Sequence, residues 1–239
     1  MIQVKNRNAL ITGSSRGIGQ QVALGLANLG CNIIIHGRSP ESCSKTLKML
    51  EKFKVNAHCV YGELSDESQL DDLIEQVKDL KISVDILYNN AAIMSPYRHD
   101  FWSHSFEDWM TSFKVNVYAM YKLSSAFIPI MIENGFGRVV NLTSGIEDQP
   151  ELAPYGASKW AVNKLTDDIA VKLENTGVRI NRLDPSWLRT DLGGSSADYA
   201  VEEVLPGALA PVLIENEGPN GQLFLAIDHD LNSEDFKKS

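Results

Sequence analysis

Short runs dense in β-branched and aliphatic residues alternate with segments whose apolar positions recur at helical spacing along nearly the whole chain. That alternation predicts an α/β protein, a doubly wound parallel sheet of about seven strands with helices on both faces. The strand-like runs are 9–12, 31–36, 57–61, 84–88, 138–142 and 178–183, with a weaker one at 222–225. They are dense in β-formers, as buried parallel strands should be. Helical spacing occupies 40–53, 66–80, 106–134 and 155–176, and Gly135 and Gly177 stand as C-terminal stops. Crossovers of that length are right-handed and helical. No repeat, low-complexity stretch or Pro/Gly/Ser linker divides the chain, so residues 1–239 read as a single domain.

Composition adds mainly exclusions. A length of 239 residues fits one α/β domain. Hydrophobic residues at 44% and charged residues at 22% are ordinary globular values, unlike those of a disordered tail or a membrane protein. No apolar run approaches the roughly 18 residues of a spanning helix. The first strand begins so early that no signal segment is expected ahead of it, and the cytoplasm is the expected compartment. With 22 basic against 31 acidic side chains, the net charge of −9 offers no basic field, so neither nucleic acid nor a membrane surface is an expected partner. Cys31, Cys43 and Cys59 are odd in number and lack a C-x-x-C pair, which makes them buried small hydrophobes rather than a disulfide or zinc framework. The histidines are scattered, His99 and His104 miss the i, i+4 spacing of a helical zinc motif, and no metal is expected.

Thr12-Gly13-Ser14-Ser15-Arg16-Gly17-Ile18-Gly19 follows the first strand and opens an apolar helix. Three clustered glycines are compatible with a plain tight turn. Between a strand and a helix, they also let backbone N–H groups and the helix dipole approach a pyrophosphate.

The Thr-Gly-x-x-x-Gly-Ile-Gly spacing resembles the signature of the short-chain dehydrogenase/reductase family. The family's further elements follow in order as Asn89-Asn90-Ala91-Ala92, Asn116, Ser144 and Tyr155-Gly156-Ala157-Ser158-Lys159, so the resemblance covers roughly residues 5 to 195. It implies a single-domain Rossmann fold that binds a nicotinamide dinucleotide. It implies catalytic roles for Asn116, Ser144, Tyr155 and Lys159. Tyr155 would protonate the carbonyl oxygen, and Lys159 would favour the phenolate and bond the nicotinamide ribose. Ser144 would hold the substrate oxygen, with Thr143 as a bland neighbour, and Asn116 would hold a water linking Lys159 to solvent. A structural bond from Asn116 to a nearby backbone is the plainer alternative. Cofactor contacts are implied for Gly13, Ser15, Arg16, Gly17, Ile18, Gly19, Asn90, Ala91, Ala92, Tyr155 and Lys159.

The second strand ends Ile35-His36-Gly37-Arg38, with no carboxylate before Glu41. Arg38, with Arg16 as a second cation, would therefore meet a 2′-phosphate, which favours NADP(H) over NAD(H). Either arginine could instead be an idle surface residue. Glu63-Leu64 replaces the family's Asp-Leu beside the adenine. Further on, Asp184-Pro185-Ser186-Trp187-Leu188-Arg189-Thr190 resembles Pro-Gly-x-x-x-Thr, implying cofactor contacts from Pro185, Ser186 and Thr190. Ser186 in place of glycine must accept the local backbone angles. Ser144 and Tyr155 lie 11 residues apart, slightly closer than is usual in the family.

A short substrate loop is expected near 186–201. Ile93, Met94, Tyr97, Gln149, Leu152 and Trp187 are implied as an apolar to aromatic pocket lining. The resemblance is to the carbonyl-reductase-like or 3-oxoacyl-reductase-like branch, and residues 221–228, which lack the Asp-Gly-Gly of many relatives, look more like the carbonyl-reductase-like branches than like typical fatty-acid-synthesis reductases. The expected activity is NADPH-dependent reduction of a ketone or aldehyde. The alternatives are an NAD-preferring alcohol or sugar dehydrogenase, and a nicotinamide-sensing protein without turnover. The family's habit of pairing the helices at 106–134 and 155–176 implies a homodimer or homotetramer.

Overall fold

The computed structural model describes residues 1–227; Asp228 and the end of the 1–239 domain reading lie outside the described residues. Six α-helices and nine strands follow one another as β1 (Asn8–Ile11), α1 (Gly17–Asn28), β2 (Asn32–Gly37), α2 (Pro40–Leu50), β3 (Ala57–Tyr61), α3 (Glu67–Asp79) and β4 (Ile86–Asn89). The second half runs α4 (Phe106–Phe113), α5 (Ala119–Glu133), β5 (Gly137–Leu142), α6 (Ala153–Lys172), β6 (Val178–Asp184), β7 (Leu188–Arg189), β8 (Tyr199–Ala200) and β9 (Leu223–Leu225). Seven strands form one sheet in the order β3-β2-β1-β4-β5-β6-β9, and every pairing is parallel. Chain order reverses between β1 and β4, so the segments leaving these two neighbours diverge and open a crevice at the carboxyl ends of the strands.

Successive residues of β2 face opposite layers. Ile33 and Ile35 pack into the core that holds Val22 and Leu26 of α1, and Ile34 into the core that holds Leu73 of α3 and Phe127 of α5. Burial on both sides explains why these strands are dense in β-branched and aliphatic residues. Helix starts follow local chemistry. Ser39 accepts from Ser42 N–H ahead of Pro40, Asp66 accepts from Ser68 and Gln69 N–H, and Ser105 and Asp108 form a reciprocal box.

Four local readings need correction. The continuous helix expected over 106–134 is interrupted by a π-helical turn at Lys114–Tyr118 that carries Asn116. The segment Phe106–Glu133 is also long and apolar enough, by length and composition, to cross a membrane, although half of its most apolar window is buried in the molecule. Scattered lysines and serines hide this from a search for an unbroken apolar run. Helix α6 stops at Lys172, and Asn175 rather than Gly177 takes the left-handed conformation, at φ 61°. Gly177 is required for space, because a Cβ there would overlap the Gly135 carbonyl. Cys31 and Cys43 are buried as expected, but Cys59 is only partly so.

Candidate active site

The crevice is built from the ends of β1, β4, β5 and β6. Gly13 leaves β1 at φ 63°, and a Cβ on it would stand 3.0 Å from the Ala91 Cα. A Cβ on Gly19 would lie 2.6 Å from the Asn90 Nδ2 and 2.7 Å from the Gly13 carbonyl oxygen. The turn therefore closes on the segment after β4 only because both positions lack a side chain. Thr12 ties the two together: its Oγ1 accepts the N–H groups of Asn90 and Ala91, each at 3.0 Å, and the Asn90 amide donates to the Thr12 carbonyl at 2.8 Å. Ser15 is fixed through its carbonyl, which accepts from Thr46 Oγ1 at 3.0 Å. Gly17 and Ile18 start α1, and the groove beside Gly17 is open except for the Thr190 methyl. A bare, positive-φ turn at a helix N-terminus with this opening fits a dinucleotide pyrophosphate.

His36 reads in the sequence only as a strand residue. It is buried, and its Nδ1 accepts the Gly13 N–H at 3.0 Å while Nε2 meets the Gly62 carbonyl at 3.0 Å. It thereby links the ends of β1, β2 and β3. Burial pushes its pKa below the ordinary value, against opposing pulls from the Gly62 carbonyl and the Glu63 charge. A polar residue in an otherwise apolar buried strand was the available signal.

The two candidate phosphate cations differ in their partners. Arg38 is exposed and makes no hydrogen bond or ion pair among the described residues. Arg16 instead pairs with Asp191 at 2.7 Å, across the groove from the turn to the segment after Thr190. Leu64 is buried, and Glu63 turns its carboxylate to the Ser65 N–H at 3.2 Å. Ala92 is partly buried and Pro185 buried. Ser186 has φ 64° and donates its N–H to Asp184 Oδ1 at 2.9 Å, so the non-glycine residue does occupy left-handed space. Thr190 caps its own loop, accepting the Gly193 N–H at 3.0 Å.

Tyr155 and Lys159 lie one turn apart on α6, both buried. The ammonium is 5.8 Å from the centre of the phenol ring and donates to the Leu142 carbonyl at 2.8 Å. Burial raises the Tyr155 pKa, the Ser144 hydroxyl opposes this, and the Asp184 charge adds to it. Burial pulls Lys159 down to about 8, which Asp184 partly counters. The expected depression of the tyrosine by its lysine is therefore overridden here by desolvation of both groups. Ser144 stands at the end of β5 and accepts the Ile146 N–H at 3.3 Å. Thr143 is not merely bland, since its Oγ1 donates to Asn163 Oδ1 at 2.6 Å.

The Asn116 side chain makes structural bonds of the kind the plainer alternative expects. Its amide accepts the Ile93 N–H and donates to the Ile93 carbonyl and to Ser158 Oγ, each at 2.9 Å, so both donor hydrogens are committed. These bonds clamp the π-helical turn onto the segment after β4 and onto α6. Of the implied pocket lining, Met94, Tyr97, Gln149 and Trp187 are exposed and Ile93 half-buried, but Leu152 is buried. Trp187 donates from its indole to the Gly193 carbonyl at 2.8 Å, and β7 pairs with β8 to frame the short 186–201 loop.

A short chain dehydrogenase family model matches residues 7–199. A 3alpha-hydroxysteroid dehydrogenase from Mediterraneibacter gnavus is 32% identical over 95% of this chain and 92% of its own. Among solved structures, a 3-oxoacyl (acyl-carrier-protein) reductase from Agrobacterium tumefaciens with NADP bound superposes with TM-score 0.82 at 26% identity, covering 93% of each chain. A gluconate 5-dehydrogenase from Burkholderia cenocepacia in complex with NADP and tartrate gives TM-score 0.81 at 28% identity, covering 93% of this chain and 94% of that one. Sequence motifs, parallel sheet and family match agree: the chain belongs to the short-chain dehydrogenase/reductase family of NAD(P)-dependent oxidoreductases.

Proposed function

We propose that the protein binds NADPH and reduces a ketone or aldehyde of a small, largely uncharged molecule, with Tyr155 as proton donor. The observation that carries this reading is the buried Tyr155, kept as a phenol, beside Ser144 and one turn from Lys159. A bound nicotinamide supplies the hydride for the carbonyl carbon. Tyr155 gives its proton to the carbonyl oxygen, Ser144 donates a hydrogen bond to that oxygen, and Lys159 replaces the tyrosine's proton. The Asn116 side chain holds Ile93 and Ser158 in place around them. Gly13, Gly17, Ile18 and Gly19 would cradle the pyrophosphate, Ser15, Glu63 and Leu64 flank the adenosine, and Asn90, Ala91, Ala92, Pro185, Ser186 and Thr190 border the nicotinamide half.

Exposed, unpaired Arg38 supports NADPH. The engagement of Arg16 by Asp191 favours a second reading, an NAD-preferring alcohol or sugar dehydrogenase, because among the described residues it leaves Arg38 alone of the two arginines without an ion-pair partner. NADPH and NADH oxidation against a panel of ketones, aldehydes and keto acids separates the two. Absence of turnover with every carbonyl and with the matching alcohols would overturn both.

A cytoplasmic homodimer or homotetramer completes the proposal. Met110, Phe113, Val117, Tyr118, Tyr121 and Leu165 form an apolar groove between α4, α5 and α6 that a second copy would cover. Light scattering should give a multiple of 26.4 kDa.

A further inference from the structure

Alternate residues at the end of β5 turn their side chains the same way. Asn141 and Thr143 both reach α6: the Asn141 amide donates to Thr166 Oγ1 at 2.9 Å, and Thr143 Oγ1 donates to Asn163 Oδ1 at 2.6 Å. Asn163 lies one turn beyond Lys159 and two beyond Tyr155, so three residues at i, i+4 and i+8 share the stripe of α6 that meets this strand end. Lys159 holds the Leu142 carbonyl at 2.8 Å, and the Thr143 N–H donates to the Leu183 carbonyl of β6 at 2.8 Å. Ser144 is the next residue. It opens a turn, 144–147, that borders a cavity of about 210 Å³ which Thr143 and Asn163 also line. Open space on that side supplies no packing atoms to hold the turn, and Gly145 within it has no side chain to lodge elsewhere. The aim of the serine therefore depends on the two bonds made by Thr143, one to β6 and one to α6.

We propose that Thr143 and Asn163 are positioning residues for Ser144: their hydrogen bond ties the serine to the helix that carries Tyr155 and Lys159, and so sets the spacing between the group that holds the carbonyl oxygen and the group that protonates it. This rests on the assignment of Ser144 and Tyr155 to that oxygen. Ser144 Oγ accepts the Ile146 N–H at 3.3 Å, which leaves its own hydrogen to donate to the substrate. The donor is thus available, and placement is what remains to be supplied. A displacement on the order of 1 Å at a reacting group costs about 100-fold in rate.

Thr143→Val keeps the shape of the side chain and removes the donor, and Asn163→Ala removes the acceptor from the other side. With the best carbonyl substrate found for the wild type, each should lower kcat by about tenfold or more while changing NADPH affinity, read by cofactor fluorescence, by less than about twofold. Thr143→Ser restores the donor and should restore kcat. The same substitutions are then made in Ser144→Ala. With no hydroxyl left to aim, neither should cost a further factor of more than about two. A bond that only stabilised the fold would instead carry its full loss into the Ser144→Ala background. If Thr143→Val does not fold, Asn163→Ala completes the same cycle. Equal losses with and without Ser144, or wild-type kcat in a folded variant, overturns the proposal. Wild-type inactivity on every carbonyl would overturn the functional reading, and amide exchange would still decide the placement. The Ile146 N–H bonded to Ser144 should then exchange about fivefold faster or more in either variant than in the wild type, and unchanged exchange overturns the proposal.

Discussion

Arg16 and Asp191 meet at 2.7 Å across the groove that runs between the glycine turn and the loop after Thr190, while Arg38, just after β2, has no ion-pair partner among the described residues. The two arginines that the sequence offers for one phosphate therefore have different standing. A 2′-phosphate carries up to two charges, and an unpaired guanidinium can meet it with two charge-assisted hydrogen bonds. Arg38→Asp removes that partner and adds repulsion. It should lower the NADPH/NADH affinity ratio by roughly 30- to 1,000-fold. Arg16→Ala should change the ratio by less than about threefold, because that side chain is already committed to Asp191. Competitive titration of both cofactors measures the two ratios. Equal effects from the two variants would mean that Arg16 leaves Asp191 when the cofactor binds.

Tyr155→Phe deletes the proton donor and keeps the buried ring, so carbonyl reduction should fall by at least 100-fold on the scale of about 10²–10⁴ for general acid catalysis, with cofactor affinity nearly unchanged. Lys159→Ala should weaken both, because the ammonium anchors on the Leu142 carbonyl within the same site. Stopped-flow single turnovers and cofactor fluorescence give the two quantities separately. A phenylalanine variant within about tenfold of wild-type kcat would remove Tyr155 from the acid role.

The strands were legible because burial on both faces leaves continuous β-branched runs, and their observed bounds differ from the expected ones by two residues or fewer. The glycine turn was legible because space at Gly13 and Gly19 is a local demand. What could not be read depends on partners far along the chain. The π-helical turn has apolar spacing like a continuous helix, and only the bonds from Asn116 to Ile93 and Ser158 account for the break. His36 looks like one more strand residue until Gly13 and Gly62 arrive from the neighbouring strand ends. Thr143 finds Asn163 only when α6 is brought to the end of β5. Arg16 likewise gains a partner, Asp191, that the motif alone does not show.

Ser186 holds φ 64° with a side chain, at a position where the family's glycine would be unstrained. Left-handed backbone costs an L-residue about 1–2 kcal/mol, and the extra freedom of glycine in the unfolded chain returns about 0.5–1 kcal/mol of that. Ser186→Gly should therefore stabilise the fold by about 0.5–1 kcal/mol, seen as a higher urea midpoint at unchanged m-value. A lower midpoint would mean that the serine makes a compensating contact in solution.

His36 makes stability depend on acid. Its Nδ1 accepts a backbone N–H, so the neutral ring carries its proton on Nε2 and directs it to the Gly62 carbonyl. A second proton would have to go onto Nδ1, in place of the Gly13 hydrogen bond, inside a buried site. The folded pKa accordingly lies below the ordinary 6.5, through burial first and against the Gly62 carbonyl and the Glu63 charge. Between that lower value and about 6.5 the unfolded chain binds more protons than the folded one. Stability from this group is complete above about pH 6.5 and is lost as the pH falls toward the folded value, at up to about 1.4 kcal/mol per pH unit. Asparagine can offer an acceptor to the Gly13 N–H but cannot titrate. His36→Asn should be less stable than wild type at neutral pH, because the Gly62 bond is gone, and should lack the one-proton slope below about pH 6.5. Urea midpoints followed from about pH 5 to about pH 8 measure both lines. Parallel lines for the two proteins would show that His36 takes up its proton without disturbing the turn, and the glycine loop would then owe its shape to Thr12 and Asn90 alone.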